Sequence, residues 1–365
     1  MTAGDNKVAL YQFFFLFIQT EIGVSILSLP YVVFLLAHND GWISMLLAGA
    51  ITQILILILW MLCRRFRSSS IYVVSRKLFG KWIGSLLIII YSVYFAATAS
   101  IILVLFSKVI NVWVLPHTPY WVTMVLMVIA GVYISRENLR VLARFYTFVS
   151  FLIIMLIAFM VYSLKDANYL YLFPIGNSSW EDILMGAKGA TLSMLGFESL
   201  LVFYPLVKGT DSQKLKVAAF ANLFVTLFYT LIILCCFLNF SPEEIPLLPE
   251  PLLYMFKAFS FTIIERIDLF FLSVWMVTVA TSFMTYLFLA SNGLAHLFRK
   301  KNHKPLVPIA ALAIFIAAMI PKQNEMLIQA LDQRFQQISI LFVAVLPMLF
   351  LLFSYILHKK EASGQ

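Results

Sequence analysis

A chain of 365 residues that is 62% hydrophobic and 12% charged has too little polar surface to dissolve as water-soluble domains, and lipid is the solvent that suits it. The formal net charge of +9 comes from short stretches between apolar runs, with no basic domain or RNA-binding motif, which excludes nucleic acid as a partner. Cys63, Cys235 and Cys236 fall within or at the ends of apolar runs, which excludes a disulfide framework.

About twenty apolar residues cross a hydrocarbon core as a helix, and the chain offers ten such runs. The first, Val8 to Ala37, lacks a small-residue cleavage site and reads as a retained helix rather than a signal peptide. Its middle, from Thr20 through Glu21, Ile22, Gly23, Val24, Ser25, Ile26, Leu27, Ser28 and Leu29 to Pro30, sets a glycine, an acid and several hydroxyls near mid-bilayer. The second run is Gly41 to Cys63. Between it and the third, Arg64 to Lys81 holds no acidic residue, and Ile71, Val74 and Leu78 recur opposite Arg76, Lys77 and Lys81. That pattern predicts an amphipathic helix lying on an anionic cytoplasmic leaflet. Trp82 to Ile110, Tyr120 to Ser135 and Phe145 to Leu164 complete a first half of five spans.

The sixth run, Asp182 to Val207, repeats the interruption, with Ser193, Met194, Leu195, Gly196, Phe197, Glu198 and Ser199 at its middle and Pro205 downstream. Val217 to Phe240 follows. A proline- and glutamate-bearing outer loop comes next, with a short helix expected from Leu252 to about Ile264. Ile267 to Phe298, Pro305 to Ile320 and Gln336 to Leu357 end the second half. Of the 26 lysines and arginines, nineteen fall on the side that carries both termini and five on the other, which puts both termini in the cytoplasm. Lys108 and Lys188 are left within spans.

Irregular backbone at membrane depth is tolerated only where it faces a cavity or other protein. Two breaks five spans apart give repeats of about 8–164 and 182–357 within one membrane domain, related by inversion, with a binding site between the breaks. The half-helix starting near Ile26 offers N–H donors to an anionic group. Carbonyls near Met194, Leu195 and Gly196 can accept from an ammonium. Tyr94 and Thr98 of the third span, and Thr281 of the eighth, are available to line the cavity. Glu21 and Glu198 are buried charges with two readings, ligand contact or brace of their own helix break. Lys188 is a third such charge, read as snorkelling, as pairing with Glu181 or Asp182, or as part of an outer gate. His38, His117, His296, His303 and His358 all lie in loops or at span ends, away from Ser25. No zinc-hydrolase, Cys/His or phosphate-loop motif occurs, so neither enzyme activity, nor a metal site, nor a cofactor is expected.

The Gly23-Val24-Ser25-Ile26-Leu27 stretch with Leu29-Pro30 resembles the glycine-rich break of the amino acid–polyamine–organocation superfamily. Together with Asp40-Gly41-Trp42-Ile43, Gly80-Lys81-Trp82-Ile83-Gly84, Leu195-Gly196-Phe197-Glu198 and Ser291-Asn292-Gly293-Leu294, it is similar to the B subunits of bacterial spore germinant receptors. The resemblance implies an all-α, LeuT-like 5+5 inverted repeat with broken first and sixth helices, in the inner membrane of a spore. It further implies a small nutrient ligand, such as an amino acid, and A and C partner subunits. It also raises a sodium ion at Thr281, Ser282 and Thr285, whereas the fifth-span lysine of some proton-coupled relatives is missing from Phe145 to Leu164. An active amino-acid:cation symporter is the alternative.

Overall fold

The computed structural model describes residues 7–258, 266–322 and 324–361. Among them all regular structure is helical, save one isolated bridge between Val8 and Val207. A bilayer demands this, because a helix satisfies its own backbone N–H and C=O groups where no water can.

The first span is two short helices, α1 (Leu10–Glu21) and α2 (Leu29–Ala37), separated by irregular chain with one 3₁₀ turn at Val24–Ile26. Gly23 leaves the helical region (φ −130°, ψ −147°), and α2 restarts with Pro30 in its first turn, where a missing N–H costs nothing. α3 (Gly41–Arg65) crosses unbroken, and α4 (Ile71–Trp113) follows. α5 (Tyr120–Ser135) is the fourth span, and α6 (Leu139–Val149) with α7 (Phe151–Ser163) the fifth. The sixth pairs α8 (Trp180–Ser193) with an arm over Phe197–Leu206 that contains the short α9 (Leu200–Phe203), the two arms bent by 51°. α10 (Asp211–Asn239), the short α11 (Pro251–Ala258), α12 (Ile267–Leu297) and α13 (Val307–Met319) come next. The tenth span is α14 (Glu325–Ile340) and α15 (Leu346–Ile356), joined through a π turn at Leu341–Val345.

Six helical runs are long and apolar enough to cross a membrane, or seven with the bent sixth span. The three further expected spans fall short for physical reasons. The break leaves α1 only 12 residues long, while the fourth and ninth spans are apolar but shorter than 18 residues.

One sequence expectation is corrected here, and a second is met as far as the described residues reach. The amphipathic segment after Arg64 is helical, but Ile71, Val74 and Leu78 are buried in the protein rather than left for lipid. The cause is Gly80, whose positive φ of 78° bends α4 sharply. The bend folds the segment against the bundle, so that the Tyr72 hydroxyl donates to Leu289 O at 2.7 Å and Arg76 reaches Leu297 O. At Gly84 a Cβ would come within 2.7 Å of Ser75 O, so the two arms of the bend touch. The outer-loop helix spans Pro251–Ala258, and the stretch 259–264 of the expected helix lies outside the described residues.

The bent segment also holds the C-terminal tail. The Glu361 carboxylate accepts from Ser68 N (2.7 Å), Ser68 Oγ (2.7 Å), Ser69 Oγ (2.9 Å) and Lys77 Nζ (2.7 Å). Partial burial works to raise this carboxyl's pKa, but the four donors outweigh it and hold it at about 2, against an ordinary 4.5. A depressed acid contributes stability that is complete above the ordinary value and fades as pH falls through the depressed one. Replacing Glu361 with Gln should therefore speed hydrogen exchange of the Ser68 amide roughly tenfold at neutral pH. The difference between wild type and variant should persist near pH 4.5 and close as pH falls towards about 2. Equal exchange in the two proteins at neutral pH contradicts the latch.

Candidate functional site

The first break is held from the eighth span. Ser282 Oγ lies 3.1 Å from Gln19 O, 3.2 Å from Thr20 O and 3.1 Å from Ile22 O, and its single proton serves one of these carbonyls at a time. Thr281 Oγ1 lies 2.6 Å from Thr278 O and 2.8 Å from the Gln19 side-chain oxygen, with one proton between them, and Thr285 Oγ1 pairs with Thr20 Oγ1 at 3.1 Å. Tyr229 of α10 donates to Glu21 O at 3.0 Å, and Tyr146 of α6 ties down Thr281 O at 2.6 Å. Ser282 and Tyr229 thus bring protein donors to the carbonyls freed by the break, with Ser282 shared among three of them, at a depth where lipid offers none. Gln19, fully buried, belongs to this network and was not singled out from sequence. Its place one turn ahead of Gly23 is the signal that pointed to it.

The second break rests directly on the first. Gly196 takes φ +141°, open only to glycine at low cost, and a Cβ there would come within 2.8 Å of Thr20 C, Thr20 O and Glu21 N. Two residues on, Glu198 is fully buried. Its Oε2 accepts from Gly196 N at 2.8 Å, while Oε1 accepts from Tyr286 at 2.7 Å and from Tyr94 at 3.3 Å. One carboxylate therefore joins the sixth, third and eighth spans.

Glu21, its counterpart in the first break, has the opposite environment. It is 1% exposed, and neither carboxyl oxygen has a hydrogen-bond partner among the described residues. It lines a cavity of about 70 Å³. Of the residues expected at a site, Thr20, Gly23, Val24, Ser25, Thr98 and Leu195 join it there. Ile26, Leu27, Met194 and Phe197 are instead buried packing residues, because each break turns those side chains into the bundle. Tyr94, Gly196, Glu198 and Thr281 act behind the wall, on the contacts just described. Thr98 returns its own hydrogen bond to Tyr94 O at 2.9 Å.

Lys188 departs from the expectation of a buried charge. It is exposed beside the exposed Leu184 and Met185 and makes no ion pair among the described residues. The Asp182 carboxylate is already engaged by Ser179 at the start of α8, at 2.6 Å. Sequence reasoning also missed the far wall, where Asp332, Phe335 and Gln336 of α14 enter the cavity. Gln336 Nε2 donates to Asp332 Oδ2 at 2.9 Å. An aspartate and a glutamine four apart on one helical face was the available signal.

A family model described as spore germination protein matches residues 7–326. The chain is 30% identical over 349 residues to spore germination protein GerQB of Bacillus cereus, across 95% of this chain and 96% of that protein. Among solved structures it is similar to MhsT in complex with L-phenylalanine, with a TM-score of 0.69 at 16% identity over 96% of this chain and 89% of that one. It is also similar to Mhp1, a nucleobase-cation-symport-1 family transporter, with a TM-score of 0.63 at 14% identity over 90% of this chain and 75% of that one. The fold is LeuT-like, all-helical with the first and sixth spans broken.

The two glycines of the breaks should respond differently to alanine. At Gly23 the new methyl meets Ser282 Oγ at 3.4 Å, an ordinary contact, and thermal stability in detergent should change by less than about 1 kcal/mol. At Gly196 it meets backbone at 2.8 Å and adds left-handed strain, for a loss of at least about 2 kcal/mol. Equal melting temperatures for the two variants contradict the direct contact between breaks.

Proposed function

The chain belongs to the spore germination protein family, and from that premise we propose that it is the multi-pass membrane subunit of a germinant receptor. A small nutrient with an amine, an amino acid in the simplest case, binds between the two breaks and triggers germination without being chemically converted. The observation that carries this reading is Glu21, a carboxyl buried without a hydrogen-bond partner in the wall of a cavity. A lone carboxylate at this depth costs several kcal/mol, and an ammonium at Glu21 removes that cost only in the arrangement that holds the ligand. Differential binding of about 5.5 kcal/mol would carry a two-state bundle from one arrangement almost wholly to the other. The bias then passes to the A and C subunits in the inner membrane of the spore, with both termini of this chain in the cytoplasm.

The amine class is supported by the L-phenylalanine named for MhsT, whose fold the chain shares. The transporter named among its fold relatives favours a second reading, an active amino-acid:cation symporter built around the same cavity.

Replacing Gly23 with Leu should fill the cavity, abolish nutrient-triggered germination and leave the protein in the spore membrane at normal abundance. Response with normal sensitivity would move the site elsewhere. In proteoliposomes containing this chain alone, labelled amino acids should bind without accumulating. Concentrative uptake would replace the receptor by the symporter.

A further inference from the structure

The cavity wall carries two acidic side chains from opposite halves of the fold, Glu21 at the first break and Asp332 on α14. No lysine, arginine or histidine is among its lining residues. Glu21 has no hydrogen-bond partner among the described residues, and Asp332 is met by the neutral amide of Gln336. The other polar groups at the wall, such as Ser25, Thr98, Ser193 and Gln336, carry no charge. Glu198, which lies behind the wall, already accepts three hydrogen bonds and adds a further acidic group to the same region.

A neutral zwitterion offers one ammonium and one carboxylate. Its ammonium satisfies Glu21, but Asp332 then stays uncompensated in a small space shared with the ligand's own carboxylate. A ligand with a second ammonium answers both acids, since charge-assisted contacts are the strong ones and low local polarity magnifies them. Resting on the reading that this cavity binds the nutrient, we infer that the ligand is a compact compound of net positive charge, a diamino acid or short diamine. Glu21 takes one amine and Asp332 reads the other, which makes Asp332 the residue that sets specificity.

Equilibrium binding of L-2,4-diaminobutyrate and L-2-aminobutyrate to the purified full-length protein in nanodiscs tests this, because the two differ only by the terminal amine. The diamino compound should bind at least about tenfold more tightly. Asp332→Asn should reduce that ratio to below about threefold, Asp332→Glu should keep most of it, and Glu21→Gln should weaken both ligands. The ratio is read within each protein, so loss of folded material lowers both signals without imitating loss of preference. Equal or tighter binding of L-2-aminobutyrate, or a ratio that survives Asp332→Asn, overturns the cationic assignment while leaving the cavity as a ligand site. If neither amine binds but uridine or glucose does and Gly23→Leu abolishes it, the assignment also falls and the site stands. Binding of none of these ligands overturns the cavity as the nutrient site altogether.

Discussion

A helix broken inside a membrane frees backbone groups that lipid cannot satisfy, so each break needs protein around it. Here the two breaks meet that need together. Gly196 of the second lies directly on the Thr20–Glu21 backbone of the first, a contact that no other residue type could make without displacing one of them. Ser282 and Tyr229 supply donors to the carbonyls on the remaining sides. The cavity is what is left where the two irregular segments diverge from this contact.

Two glutamates at matching places have been put to different uses. Glu198 spends its acceptor capacity on Gly196, Tyr286 and Tyr94, and Tyr94 is in turn stacked on Phe342 within the π turn of the tenth span, with ring centroids 4.1 Å apart. The carboxylate ties three membrane segments together directly and reaches the tenth through Tyr94. Glu21 keeps both oxygens unpartnered among the described residues and faces the cavity. A carboxyl open to the cavity and a carboxylate fully engaged in support are thereby divided between the halves of the fold.

Much of this was legible in the sequence because membrane depth leaves few excuses for a glycine beside an acid. Thr20 to Leu27 and Ser193 to Ser199 stood out on that ground, and their spacing of five spans gave the inverted repeat. Which side chains turn into the cavity was not legible, because a broken helix has no fixed period from which to read its face. Ile26, Leu27, Met194 and Phe197 were expected there and pack into the bundle instead. Asp332 escaped for a different reason. The tenth run is apolar only from Gln336 onward, whereas the helix itself begins at Glu325, capped by Asn324, and carries Asp332 to the cavity. The fold of Ile71, Val74 and Leu78 onto protein rather than lipid hung on the single positive φ of Gly80, which an amphipathic pattern does not reveal.

The central claim is that Glu21 accepts the amine of a ligand held between the breaks. A structure of the protein saturated with L-2,4-diaminobutyrate tests it most directly. The account predicts ligand density between Gly23 and Leu195, with a nitrogen within about 3.2 Å of a Glu21 carboxyl oxygen. Ligand seated elsewhere on the protein, or seated in the cavity with its amines turned away from Glu21, contradicts it.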